Sequence, residues 1–295
     1  MSGLLAPYQY EFFVKGLLVA TLAGGLCGLV GVYITLRGMS YIGHGLSHAI
    51  FGGFAAASII SFNYFLGAGI WGLASALAIN RVTRKRAIGA DAAIGVITTA
   101  SFALGVALLT KFGNRGPSFD AALFGSIIGV GDTDLLVIAG VTVFAAAVVV
   151  LRYRALLFAT FDPEVADVSG VRVARIDALL MLVLSLSILA TLTVIGVTLV
   201  AATLVIPPVV ARMLTNSFSR MLWLSTAIGT ACGFVGMNAS YHLDVPSGTT
   251  IVLTGAVLFG AVLAVTGGGR LRRTAGLDDH LDLPAGAAIA RRRAT

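Results

Sequence analysis

At 295 residues the chain is 58% hydrophobic and only 11% charged, with a mean hydropathy of +0.97, which excludes a soluble globular domain and points to a polytopic membrane protein. The net charge of +7 reads as a topology signal and an attraction to anionic lipid, so nucleic-acid binding is a weak reading. Cys27 and Cys232 stand far apart in apolar segments, fit neither a metal spacing nor a disulfide framework, and read as small core hydrophobes.

Along the chain, residues 1–9 carry no Lys or Arg and the first apolar run is full length, so nothing resembles a removable signal and the N-terminus is expected to stay attached. Measured against a span of ~20 residues, the apolar runs predict about nine transmembrane helices, with eight as the other count. They cover 12–34, 39–60, 62–79, 89–110, 134–151, 177–193, 195–214, 221–240 and 248–266. Short linkers make one compact membrane domain over 1–266, followed by a basic tail, 267–295, whose mixture of acids, Gly and Pro lacks helical periodicity and reads as disordered.

The second span holds the most informative residues, His44 and His48, in a stretch without charge from 38 to 62. An ionisable group at membrane depth is costly enough to be a functional hypothesis by default. Positions i and i+4 project from one helical face, so both rings can address one object, a common geometry for gripping a transition metal through two nitrogens. The alternative is that each ring hydrogen-bonds a neighbouring helix and glues the bundle. Gly45, Ala49, Gly52, Gly53 and Ala56 run beside the histidine face and permit close helix approach. Ser47 adjoins His48, but neighbours in sequence point in different directions on a helix, so they form no catalytic dyad.

Between the fifth and sixth spans, Phe161, Asp162, Pro163, Glu164, Asp167 and Gly170 carry the start and stop marks of a surface helix of about two turns. Asp162 caps, Pro163 takes the first helical position, Glu164 follows in the first turn and Gly170 ends it. Asp91 and Asp177 sit at span ends, where capping or pairing with Arg86 or Arg175 is the simple account. Pro207 and Pro208 are expected to kink the seventh span and free carbonyls for packing or for a path. His242 and Asp244 sit at the outer end of the eighth span, as a vestibule for incoming cargo or as a solvated loop; His280, in the tail, has no role.

If the loops alternate sides, Arg37, Arg81, Arg84, Lys85, Arg86, Arg152, Arg154, Arg172, Arg175, Arg212, Arg220 and the whole tail share one side. Only Lys15, Lys111 and Arg115 of the 20 basic residues are then left for the other. The positive-inside rule places the N-terminus outside and the C-terminus in the cytoplasm of a cell membrane.

Taken in order, several stretches resemble the permease subunits of the zinc/manganese class of ABC importers, relatives of the vitamin B12-type importer permeases. The resemblance rests on residues 37–41 (RGMSY) leading into 43–49 (GHGLSHA), then 91–95 (DAAIG), 123–127 (LFGSI), 161–164 (FDPE), 206–212 (IPPVVAR) and 240–248 (SYHLDVPSG). It implies an all-α permease fold of the B12-importer type that works as a homodimer. A cytoplasmic ATPase pair docks on the inner loops, with 161–170 as its coupling helix, and an external metal-binding lipoprotein delivers Zn²⁺ or Mn²⁺. The chain has no G-x-x-x-x-G-K-[S/T] sequence, so ATP belongs to a partner and this subunit is not itself an enzyme. In the family's second-span motif, Gly-Asp-x-x-Ser/Ala-His, the Asp and His are the metal residues, which places the site on His44 and His48. His44 departs from the motif, and imidazole in place of carboxylate makes the site softer and disfavours Mn²⁺ relative to Zn²⁺. A chelated metal or haem-like substrate stays open beside the bare ion. A proton-coupled secondary transporter is the rival from another class, without the inverted repeats such proteins show.

Overall fold

The structure is a computed structural model that describes residues 6–60, 62–84, 90–112, 130–197 and 199–278. The 123–127 stretch, Lys85, Arg86, Arg115 and the tail beyond 278 lie outside the described residues. After a short 3-10 turn, Ala6–Gln9, the described residues form eleven helices: α1 Glu11–Leu36, α2 Tyr41–Ile59, α3 Tyr64–Arg84, α4 Ala90–Phe112, α5 Asp132–Leu151, α6 Tyr153–Phe161, α7 Pro163–Val168, α8 Val173–Ile195, α9 Val200–Leu214, α10 Phe218–Leu243 and α11 Ser247–Asp278.

Each predicted apolar run overlaps a helix, and five of these helices, α1, α4, α5, α8 and α11, are long and apolar enough to cross a bilayer. The seventh run differs from expectation. Residues 195–214 do not form one continuous helix: Gly196 adopts φ 83°, and α9 starts only at Val200. Its 15 residues rise about 22 Å, less than the ~30 Å hydrocarbon core. The backbone of α11 also continues beyond residue 266, where the apolar run ends.

Two groups of helices share a centre. α1 packs against α10, α9, α5 and α8, while α2 lies between α3 and α4, and α8 touches both groups. α1 is the hub: 78% of its most apolar window is buried, against 17% for α5, which places α5 at the periphery. Glycines permit the closest contact. A Cβ on Gly24 would run into the Gly229 carbonyl, one on Gly229 would run into the Gly24 carbonyl, and Ser225 Oγ donates to Gly28 O at 2.6 Å across the same seam. Pro207 and Pro208 lie inside α9, both buried, and Pro208 faces Gly31 of α1; the pair serves packing between α9 and α1.

At one end of α1, Lys15 pairs with Glu11 at 2.6 Å and with Asp132 of α5 at 2.7 Å. At the other end Arg37 pairs with Asp177 of α8 at 2.7 Å. Asp177 therefore finds Arg37, 140 residues earlier in sequence.

Candidate functional site

α2 is wedged among α3, α4 and α9 by residues without bulk. A Cβ on Gly45 would lie 2.8 Å from both Ile94 Cγ2 and Thr98 Cγ2, and Gly52 sits against the Ser101 carbonyl of α4. The histidine face lies beside that packed face, and His48 borders the same helix α4. The His44 and His48 rings stand 4.4 Å apart at 50°, so the i,i+4 spacing brings them together as predicted. His44 is exposed; His48 is half-buried and stacks on Phe102 of α4 at 4.9 Å, 29°. Phe51, one turn beyond His48, closes the cluster against Phe102 at 5.5 Å.

The support beneath the rings is polar and buried. Trp71 Nε1 of α3 donates to Ser101 Oγ of α4 at 2.5 Å, and Ser101 Oγ donates to the Ala49 carbonyl of α2 at 3.3 Å. One hydroxyl thus ties three helices together, next in sequence to Phe102 and beside His48. Ser47 is buried and donates to His44 O at 2.8 Å, which commits its hydroxyl to the helix itself. His48 Nδ1 is different: it is buried with no hydrogen-bond partner among the described residues. A buried imidazole nitrogen left without a partner is uncommon, and a ligand is one thing that satisfies it.

No group of three or more His, Cys, Asp or Glu side chains gathers at the pair, or elsewhere among the described residues. His242 and Asp244 stay apart from it. They are exposed at the far end of α10, beside Tyr241, which packs on Phe13 at the start of α1, whereas α2 begins where α1 finishes. α1, about 39 Å long, separates the two ends. Asp244 adopts φ 54° and closes α10. Cys27 and Cys232 are buried free thiols.

The predicted surface helix is present as α7. Asp162 Oδ1 accepts from Val165 N at 3.0 Å, Pro163 takes the first position, and Gly170 ends the unit with φ 81°. Ala166 is buried, while Phe161, Glu164, Val165, Asp167 and Val168 are exposed. Two neighbours escape sequence reasoning: α6, which delivers the chain into α7, and Phe218, whose ring meets Phe161 at 5.8 Å and Tyr33 of α1 at 5.7 Å. A cavity of about 250 Å³ opens beside them, lined by Leu36, Phe161, Arg212, Phe218 and Met221 among others.

The sequence that builds this bundle matches a known family. The family model for the ABC 3 transport family covers residues 9–266. The chain belongs to the ABC 3 transport family. Relatives in that family include the manganese transport system membrane protein MntC of Halalkalibacterium halodurans, 40% identical over 251 residues, covering 85% of this chain and 86% of that protein. Another is the manganese transport system membrane protein MntB of Synechocystis sp., 35% identical over 266 residues, covering 90% and 85%. Among solved structures, a chain of PsaBC from Streptococcus pneumoniae in complex with Fab superposes with a TM-score of 0.79 at 31% identity, covering 89% of this chain and 95% of that one. As an ABC 3 family member the chain is an integral membrane transport subunit rather than a catalyst, and a permease of an ABC metal importer.

Proposed function

We propose that this permease passes a divalent transition metal across the membrane through His44 and His48, with Mn²⁺ and Zn²⁺ as the two candidate cargoes. The observation that supports the site is the ring pair at 4.4 Å, with His48 Nδ1 buried and unpartnered. Relatives named for manganese transport favour Mn²⁺. The all-nitrogen donor pair favours Zn²⁺, because borderline imidazole ligands suit zinc better than the harder manganese ion. Two ligands leave a metal short of a complete shell, so a second copy of the chain, water or another span supplies the rest.

Around this site the chain works as a homodimer with two copies of an ABC ATPase and an external binding lipoprotein that delivers the metal. ATP is bound and hydrolysed on the partner. α7 is the coupling element: its exposed Val165 and Val168 with the preceding Phe161, and acidic Glu164 and Asp167, offer an apolar and charged surface next to the cavity lined by Phe161 and Phe218. The N-terminus lies outside, with His242 and Asp244 at the outer vestibule, and α7 and the basic tail lie in the cytoplasm.

Uptake by the reconstituted complex across Mn²⁺, Zn²⁺, Fe²⁺ and Co²⁺ tests the reading, with orientation checked by thiol labelling at position 172. Uptake of Mn²⁺ or Zn²⁺ that requires ATP and His48 is the expected result. ATP-driven uptake of none of these ions, or labelling of residue 172 from outside intact cells, would overturn it.

A further inference from the structure

Arg37 stands between α1 and the histidine-bearing α2 and bonds to both flanks of the segment that bears α7. Its Nη1 donates to Asp177 Oδ1 at 2.7 Å, and its Nε donates to Thr160 Oγ1 at 3.2 Å. Asp177 lies in the second turn of α8, just after the α7 loop, and Thr160 stands two residues before Asp162, the cap of α7. One guanidinium therefore holds both arms of the segment that presents α7. The pair is largely buried, with side-chain exposures of 11% for Arg37 and 14% for Asp177, so water screens it little.

On its other side Arg37 is joined to α2 without slack. Gly38 takes φ 67°, Gly38 N donates to Thr35 O at 3.2 Å, and Met39 N donates to Ile34 O at 3.0 Å, the bond pattern that closes a helix tightly. Ile42 N then donates to Met39 O at 2.9 Å, already in the first turn of α2. His44 follows within one turn. A displacement of the Thr160–Asp177 segment thus reaches the base of α2 through hydrogen bonds and a rigid turn, not through a flexible linker.

Buried polar groups at this end of α1 are left unsatisfied, Thr35 Oγ1 among them. Arg37 Nη2 and Tyr33 Oη, one turn apart at the end of α1, make no hydrogen bond among the described residues. Unsatisfied buried donors are uncommon in a single settled arrangement, and they give the guanidinium spare capacity for a second one. The aromatic contacts Tyr33–Phe218 and Phe218–Phe161 connect the same two regions beside the ion pair, at 5.7 and 5.8 Å.

We propose that Arg37, with Asp177 and Thr160, is a positioning residue that couples movement of the α7 loop to the histidine-bearing helix α2. This rests on the reading of α7 as the coupling element and of His44 and His48 as the metal site. The test uses the whole complex in proteoliposomes and reads three quantities: metal uptake, ATP hydrolysis, and metal affinity of the permease. For Arg37→Gln, uptake per ATP hydrolysed is expected to fall about tenfold, within the usual range of coupling between sites, while metal affinity stays at the wild-type value. The reversal Arg37→Asp with Asp177→Arg is expected to recover part of the uptake per ATP. Thr160→Val removes one hydrogen bond only and is expected to lower it about threefold, which keeps the test decisive should Arg37→Gln not fold. Wild-type uptake per ATP in Arg37→Gln, or in Thr160→Val when Arg37→Gln does not fold, would overturn the proposal, as would a parallel loss of metal affinity. The underlying reading fails separately: wild-type uptake by His48→Ala removes the metal site, and wild-type uptake by Glu164→Arg with Asp167→Arg removes α7 as the coupling element.

Discussion

Two glycine-lined seams do different jobs in this molecule. Along α1 and α10, Gly24 and Gly229 place backbone directly on backbone, both helices are hemmed in at that level, and Ser225 donates to the Gly28 carbonyl across the seam. Along α2 and α4, at the level of the histidines, Gly45 faces the ends of the Ile94 and Thr98 side chains. One face of α2 is spent on packing and the next face carries imidazole. The same device, a missing side chain, fixes a hub in one place and holds a chemical group at a chosen depth in the other. Gly52 and Gly105 bring the backbones of α2 and α4 together one turn beyond His48, so what sets the second seam apart is the polar pair beside it and not the way it packs.

The difference can be broken most severely at the hub. Gly229→Leu drives a side chain into the Gly24 carbonyl, where neither backbone can yield, and is expected to cost about 3 kcal/mol or more. Loss of a monodisperse peak in detergent and a collapsed melting transition would register it; a normal melt would show that the seam yields. Next in size, His48→Ala at the second seam is expected to leave the melt unchanged while uptake falls by at least about tenfold, as for loss of a metal ligand. If uptake and melt are both normal, the ring pair is interhelical packing and nothing more.

Ser101→Ala probes what the second seam holds in place. It strips the half-buried Trp71 indole N–H of its acceptor and the buried Ala49 carbonyl of a donor, so a loss of about 1–3 kcal/mol in stability is expected. It should also weaken metal binding, because Phe102, the residue stacked on His48, is next in the chain. Unchanged metal affinity at lowered stability would limit Ser101 to the fold. His44→Asp should do least to the rate. It exchanges an exposed imidazole for a carboxylate and is expected to shift preference from Zn²⁺ towards Mn²⁺, read as the ratio of the two uptake rates; an unmoved ratio would place metal selection elsewhere.

Much of the candidate site was legible because helical spacing is a local property. His44 and His48 needed only their separation in sequence to be placed ring to ring, and Asp162, Pro163 and Gly170 needed only capping chemistry to outline α7. What supports them was not legible. Ser101 looks like any small polar residue in an apolar run, and nothing local marks it as the bridge between α2 and α3. Arg37 reads as one of many positive-inside charges. Its pairing with Asp177, 140 residues away, and its contact with Thr160 follow from where α1, α6 and α8 end in space.

By itself the sequence determined the class, the apolar segments, the capped loop and the pairing of the histidines, since each depends on composition or on spacing within a turn or two. Tertiary structure decided which segment is central. α1 and α5 are both strongly apolar, α5 the more so, yet α1 is buried in the bundle and α5 is not. Lipid and protein interior are both hydrocarbon to a side chain, so hydropathy cannot tell them apart. What separates them is shape: α1 carries the glycines that let α10 approach its backbone, and a helix approached so closely ends at the centre.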